Sequence, residues 1–220
     1  MDSQRTMQST ASETRAALIS AGLGIFGRKG FDAASTREIA AAAKTNIASI
    51  AYHFGGKEGL RLACAEEIVR RISQVIRPEA LASGTADPDA ALDLIEKVIT
   101  AVARFIAAQP EANDIAAFML REMTAPSAAL DRIYTEMIRP VHGALCQLWA
   151  VATGAEAESE ETRLTVFSIV GQMIYFRICR PVVLKRMRWD GIGPDEAEKI
   201  AKILVANLRA MARARREGRE

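Results

Sequence analysis

Between residues 35 and 60 the chain reads STREIAAAAKTNIASIAYHFGGKEGL, and its polar side chains are spaced for hydrogen bonding rather than for making bonds. Thr36, Lys44, Tyr52, His53 and Lys57 are types that hold phosphates, and Asn46, Ala48 and Ser49 suit base edges. Small side chains let a backbone come close to a groove floor, while amides and hydroxyls supply donors and acceptors. Thr45 or Asn46 can also accept from the free N–H groups that begin a helix. The parts of a catalytic site are missing. Only two histidines exist, His53 and His142, and there is no HExxH, paired-cysteine metal site, Gly-rich phosphate loop or nucleophile elbow. Cys64, Cys146 and Cys179 are far apart and odd in number, so they form no disulfide framework. No catalytic residue, metal or cofactor is expected, and the chain is not read as an enzyme.

The elements that position these residues are short helices. Ser35 can cap the first, with Glu38 three residues on completing a capping box. Ile39, Ala40 and Ala43 fall at helical spacing, and the alanines leave room for a neighbouring helix. After Lys44-Thr45-Asn46, a second helix is predicted from Ile47 to Phe54, with Ile47, Ile50 and Phe54 on one face and Gly55-Gly56 ending it. So short a helix needs neighbours to hold it. Its outer face then carries side chains without a core role, as in a helix that enters the major groove.

This stretch resembles the helix-turn-helix of the TetR family of transcriptional regulators. The likeness rests on Thr36, Ile39, Ala40, Ala43, the segment 47–54 and the Phe54-x-x-Lys57-Glu58-x-Leu60 ending. Upstream, Ala21, Phe26, Gly30 and Phe31 resemble that family's first helix and its exit. Lys44 stands where the family usually has Gly, and Ala51 and His53 stand where Tyr is common. The form YHFGGKEGL, and more weakly FMLREMTAP with Tyr134 and Pro140, resembles the CecR-type subgroup. The resemblance implies a double-stranded DNA operator as partner. It also implies a small-molecule effector and repression as the default.

Half of the 220 residues are hydrophobic and aromatics are scarce, which suits an all-α chain. The net charge is +2, and residues 1–60 hold seven Lys/Arg against five Asp/Glu. So weak a basic excess neither proves nor excludes DNA binding, and the motif must carry that reading. Residues 1–11 are expected as a flexible arm from which Arg5 can reach a minor groove. Residues 12–60 form the DNA-binding domain, with a connector helix to about 77. Residues 78–220 form a helical effector-binding and dimerisation domain.

In that second part Asp87-Pro88 restarts a helix. Its apolar face includes Ile106, and Gln109-Pro110 ends it. Pro140 and Pro181 should kink the helices expected at 126–151 and 160–187. The basic end at Arg213, Arg215 and Arg216 reads as a solvated tail.

Apolar residues here exceed what a spacer needs. Phe118, Met119, Met123, Tyr134 and Met137 are candidates to line an effector cavity, as are His142, Trp149, Phe167, Met173 and Phe176. A solid core is the alternative for any one of them. The last two long helices carry enough apolar surface for a homodimer interface, and TetR-like proteins use theirs in this way. No apolar leader and no span of membrane length is present, so a cytoplasmic protein without membrane contact is expected. A helical protein-binding adaptor is the competing reading.

Overall fold

Caps and breaks already visible in the sequence set most helix ends. In the computed structural model the backbone is described for residues 2–108 and 111–218, and side chains for 10–105 and 112–218. The side chains of Arg5 and Ile106 and the break at Gln109-Pro110 lie outside this range. Among the described residues the structure is all-α, with twelve α-helices, one π-helical turn and no strand. Packing divides the chain into two units, the first of Met1–Arg71 with Pro110–Thr135 and the second of Ile72–Gln109 with Glu136–Glu220.

The first unit holds α1 (Asp2–Lys29), α2 (Thr36–Ala42), α3 (Ala48–Phe54) and the start of α4 (Lys57–Ile76). It also holds α7 (Glu111–Thr124) and α8 (Ala128–Ile133). The residues expected as a flexible arm continue α1 back to Asp2. α1 packs on α2, α3 and α7. Leu18, Phe26, Ile39, Ile50, Leu60 and Phe118 are fully buried. Each such side chain contributes about 1.5–3 kcal/mol relative to exposure, which short helices such as α2 and α3 cannot supply alone. α7 was expected within the second domain. It lies with the first unit because Phe118 meets Phe26 edge-to-face at 6.3 Å, and a Cβ at Gly27 would come within 3.1 Å of the Phe118 backbone nitrogen.

The second unit contains α5 (Pro78–Ala82), α6 (Pro88–Ala108), α9 (Arg139–Thr153), α10 (Glu160–Ile178), α11 (Arg180–Met187) and α12 (Pro194–Glu217). Asp87 caps α6 as expected, accepting from Asp89 and Ala90 N–H at 2.8 and 3.0 Å. These backbone bonds hold its carboxyl below the usual range. α6 packs on α9 and α12, and α9 on α10, around Ile95, Ile99, Leu148, Trp149, Val166 and Leu208.

Both predicted kinks take a definite form. A π turn, Tyr134–Ile138, precedes Pro140, where a proline that donates no backbone bond unsettles the turn before it. α10 ends before Pro181, and α11 leaves it at 74°. The basic end of α12 is not a free tail. Arg215 pairs with Glu161, and Arg216 donates to the Ala152 carbonyl at 2.7 Å and to Asp89 at 3.0 Å.

Candidate nucleic-acid interface

Ser35 begins the motif by accepting from Arg37 N–H at 3.2 Å. Ser35 therefore caps the helix through its second residue, and the expected capping box with Glu38 does not form, because Glu38 turns to Lys29 at 2.8 Å instead of to the Ser35 amide. α2 ends at Ala42 with Ala43 as its C-cap, and Lys44 follows with φ 54°. A left-handed residue here reverses the chain without a glycine. Asn46 then accepts from Ala48 N–H at 2.9 Å and starts α3. The helix begins at Ala48, one residue later than predicted, with Ile47 at its N-cap position. Ile47 was expected on the buried face but is 47% exposed, since a cap residue lies outside the helical stripe. Ile50, at 2% exposure, anchors the helix from behind, and Gly55 closes it with φ 72°.

The opposite face of α3 is open. Tyr52 is 84% exposed, its ring edge-on to His53 at 4.9 Å. His53 is half-buried and also flanks Phe54 at 6.0 Å. Lys44, Asn46 and Ala48 are exposed, while Thr36, Thr45 and Ser49 are half-buried. Thr45 and Ser49 oxygens lie 3.1 Å apart. Lys57, at the first turn of α4, places Nζ 4.4 Å from the Phe31 ring centroid and donates to the Asp32 carbonyl at 3.4 Å. The segment therefore has the anatomy of a helix-turn-helix: a helix pinned by Ile50, a polar front, and a lysine beside it.

Residues 18–64 match the family model of bacterial regulatory proteins of the tetR family. Residues 91–215 match that of the C-terminal domain of the HTH-type transcriptional dual regulator CecR. Over 197 residues the chain is 32% identical to the HTH-type transcriptional dual regulator CecR of Shigella flexneri, covering 87% of each protein. The chain belongs to the TetR family. Its fold is shared with a TetR-like transcriptional regulator from a Rhodococcus species, at TM-score 0.64 and 15% identity over 90% of this chain and 96% of that one. It is shared too with the TetR family transcriptional regulator PfmR of Thermus thermophilus, at TM-score 0.60 and 19% identity over 87% and 96%. As a TetR-family protein the chain is a DNA-binding transcriptional regulator and not an enzyme.

The effector candidates of this TetR-family chain are divided between the units. Phe118 is fully buried in the first, where Met119 is half-buried and Met123 and Tyr134 are exposed. Met137, Trp149 and Met173 are buried in the second, and Phe176 packs on its core. His142 stacks on the exposed Phe167 at 4.0 Å and sets Nε2 3.2 Å from the Arg163 carbonyl.

Two of the cavities among the described residues lie in the second unit. One, of about 360 Å³, is lined by Trp149, Glu161, Thr162, Thr165, Met211 and Arg215. The other, of about 320 Å³, lies between α5 and α9 with Leu81, Thr85, Pro140, Gly143 and Gln147 among its walls. Of the ten candidates, Trp149 alone lines either. The glycine and polar positions in these walls carry no large apolar side chain that would mark them in the sequence. Burial pushes the Cys64 thiol up, with Glu122 and Glu67 adding to it. Burial likewise raises the Cys146 thiol to about 11, so neither is a ready thiolate.

Proposed function

We propose that the chain acts as a homodimer on a two-fold-symmetric operator in the cytoplasm, as a repressor that a small-molecule effector releases. The observation that carries the dimer is one face of α10. Leu164, Phe167, Ile174, Tyr175 and Ile178 recur at helical spacing and are 38–61% exposed, and Ile203 of α12 is 61% exposed. A monomer leaves such a stripe in water, whereas a second copy covers it on both sides at once. Gly171, within that stripe, has open space where a Cβ would stand and lets a partner helix approach.

A dimer of this kind presents two copies of α3 to successive turns of the groove, which one helix-turn-helix cannot span. In this reading Thr36, Lys44, Tyr52, His53 and Lys57 hold phosphates. Asn46, Ala48 and Ser49 face base edges, and Thr45 braces Ser49. The ligand shifts the equilibrium by binding one dimer conformation better than the other. The Shigella flexneri relative is named a dual regulator, so activation at some promoters is the second reading.

Sedimentation of wild type and Ile174→Glu at micromolar concentration tests the dimer, and mobility shift on a DNA fragment from upstream of the gene tests operator binding. Wild type is expected as a dimer that shifts the fragment, and the variant as a folded monomer with much weaker binding. A wild-type monomer would end the dimer reading.

A further inference from the structure

Glu122 is buried, with 3% of its surface exposed, in a part of the chain where a carboxylate needs a reason to be. Its partner lies on α4. Arg61, its side chain 12% exposed, donates Nε and one terminal nitrogen to the two carboxylate oxygens at 2.9 and 2.8 Å. Ser127, the N-cap of α8, donates its hydroxyl to the same carboxylate. The Arg61 guanidinium stands 4.5 Å from the centroid of Phe31, the ring that also carries the Lys57 ammonium at 4.4 Å. Two cations thus share one ring, one turn apart on α4. Arg61 is neutralised chiefly by Glu122, with the exposed Glu58 also 3.8 Å from its guanidinium, while Lys57 pairs with no carboxylate among the described residues and rests on the Asp32 carbonyl.

We propose that Glu122 is a positioning residue for DNA binding: by holding Arg61 against Phe31 it keeps Lys57 seated at the start of α4, ready for a backbone phosphate. The inference rests on the reading of Lys57 as a phosphate contact. With Glu122 removed, Arg61 keeps only the exposed Glu58, 3.8 Å away, as counter-charge, and it leaves the pocket toward water or repels Lys57 from the ring. Glu122 lies within residues 91–215, the segment matching the C-terminal domain model, yet packs in the unit that carries α3. It is therefore one point at which that segment touches α4, the helix that follows the reading helix.

A buried ion pair can be replaced by apolar side chains of similar volume at little cost to stability, which separates positioning from folding. The probe is a labelled duplex selected by the wild-type protein from a random library. The paired variant Arg61→Met with Glu122→Leu is expected to melt at or above the wild-type temperature. It should nevertheless bind the duplex at least about 5-fold more weakly, with a salt slope smaller by about one for each protomer. Glu122→Gln, which keeps the volume and drops the charge, should lose about 3-fold at a temperature where circular dichroism shows it folded. If both folded variants bind with wild-type affinity and salt slope, the pair is only structural and the proposal is overturned. A wild-type protein that enriches no duplex fails one step earlier, at the DNA reading itself.

Discussion

The hydroxyl oxygens of Thr45 and Ser49 lie 3.1 Å apart, so the last residues of the turn and the first turn of α3 are tied together beside the exposed Asn46 and Ala48. The contact fixes the Ser49 side chain, which the proposed DNA reading turns toward a base edge. Ser49→Ala should therefore relax preference at one position of the site, by about 1 kcal/mol of discrimination, with little change in the salt slope. Lys57→Ala should weaken all sequences alike and lower the slope by about one per protomer. Salt-titrated binding to a panel of single-substitution duplexes measures both. Identical behaviour of the two variants would refute the division of roles.

Lys44 adopts φ 54° at the end of α2. A side chain in this region costs roughly 1 kcal/mol that glycine does not incur, and glycine's freer unfolded chain takes back part of the gain. Lys44→Gly should raise stability by about 0.5 kcal/mol, a degree or two in melting temperature. The same change removes an exposed cation next to α3, so DNA affinity should fall as stability rises. Melting curves set beside the salt slope separate the two effects. A variant that melts lower would contradict the strain at this position.

Gly59 sits in the first turn of α4, where an added Cβ would overlap the Phe54 carbonyl oxygen. Backbone cannot yield as a flexible side chain does. Gly59→Ala should thus cost about 1–3 kcal/mol or more and loosen the junction between α3 and α4. Urea unfolding gives the loss, and hydrogen exchange should locate it in α3. Wild-type stability would show that the junction relaxes freely.

The first unit was legible where its signals are local. Ser35, Asn46 and Gly55 each fix a helix end through a bond that spans five residues or fewer, and Ile50 and Leu60 follow helical periodicity. What escaped depends on partners far along the chain. Glu122 reaches Arg61 across 61 residues, and Arg215 reaches Glu161 across 54, with no pattern in either segment to announce them. Phe118 looked like a cavity residue because its size and apolarity suit a cavity and a core equally. Its contact with Phe26 decides between them. The exposed stripe on α10 was readable as periodicity, but a helix buried within one chain gives the same pattern. Only the exposure of Leu164, Phe167 and Ile174 distinguishes the two.

Glu67 of α4 accepts from Arg70 at 2.8 and 2.6 Å and from Arg71 at 2.6 Å, one turn along the same helix. The Arg70 hydrogen bonds chiefly hold its carboxyl down at about 2. Arg71 works in the same direction, and burial works against both. An unfolded chain returns this group to its ordinary value near 4.5. The folded state therefore holds the proton less tightly. The stabilisation is fully present above pH 4.5 and is lost as pH falls from about 4.5 toward 2. Because the group is partly open to water, screening reduces the benefit to about 1 kcal/mol. Glu67→Gln should be less stable than wild type by that amount at pH 7, and the two proteins should converge as pH approaches 2. Urea midpoints between pH 7 and pH 2.5 measure the gap. A gap that stays constant across the range would mean that the two arginines do not hold Glu67 in its charged form.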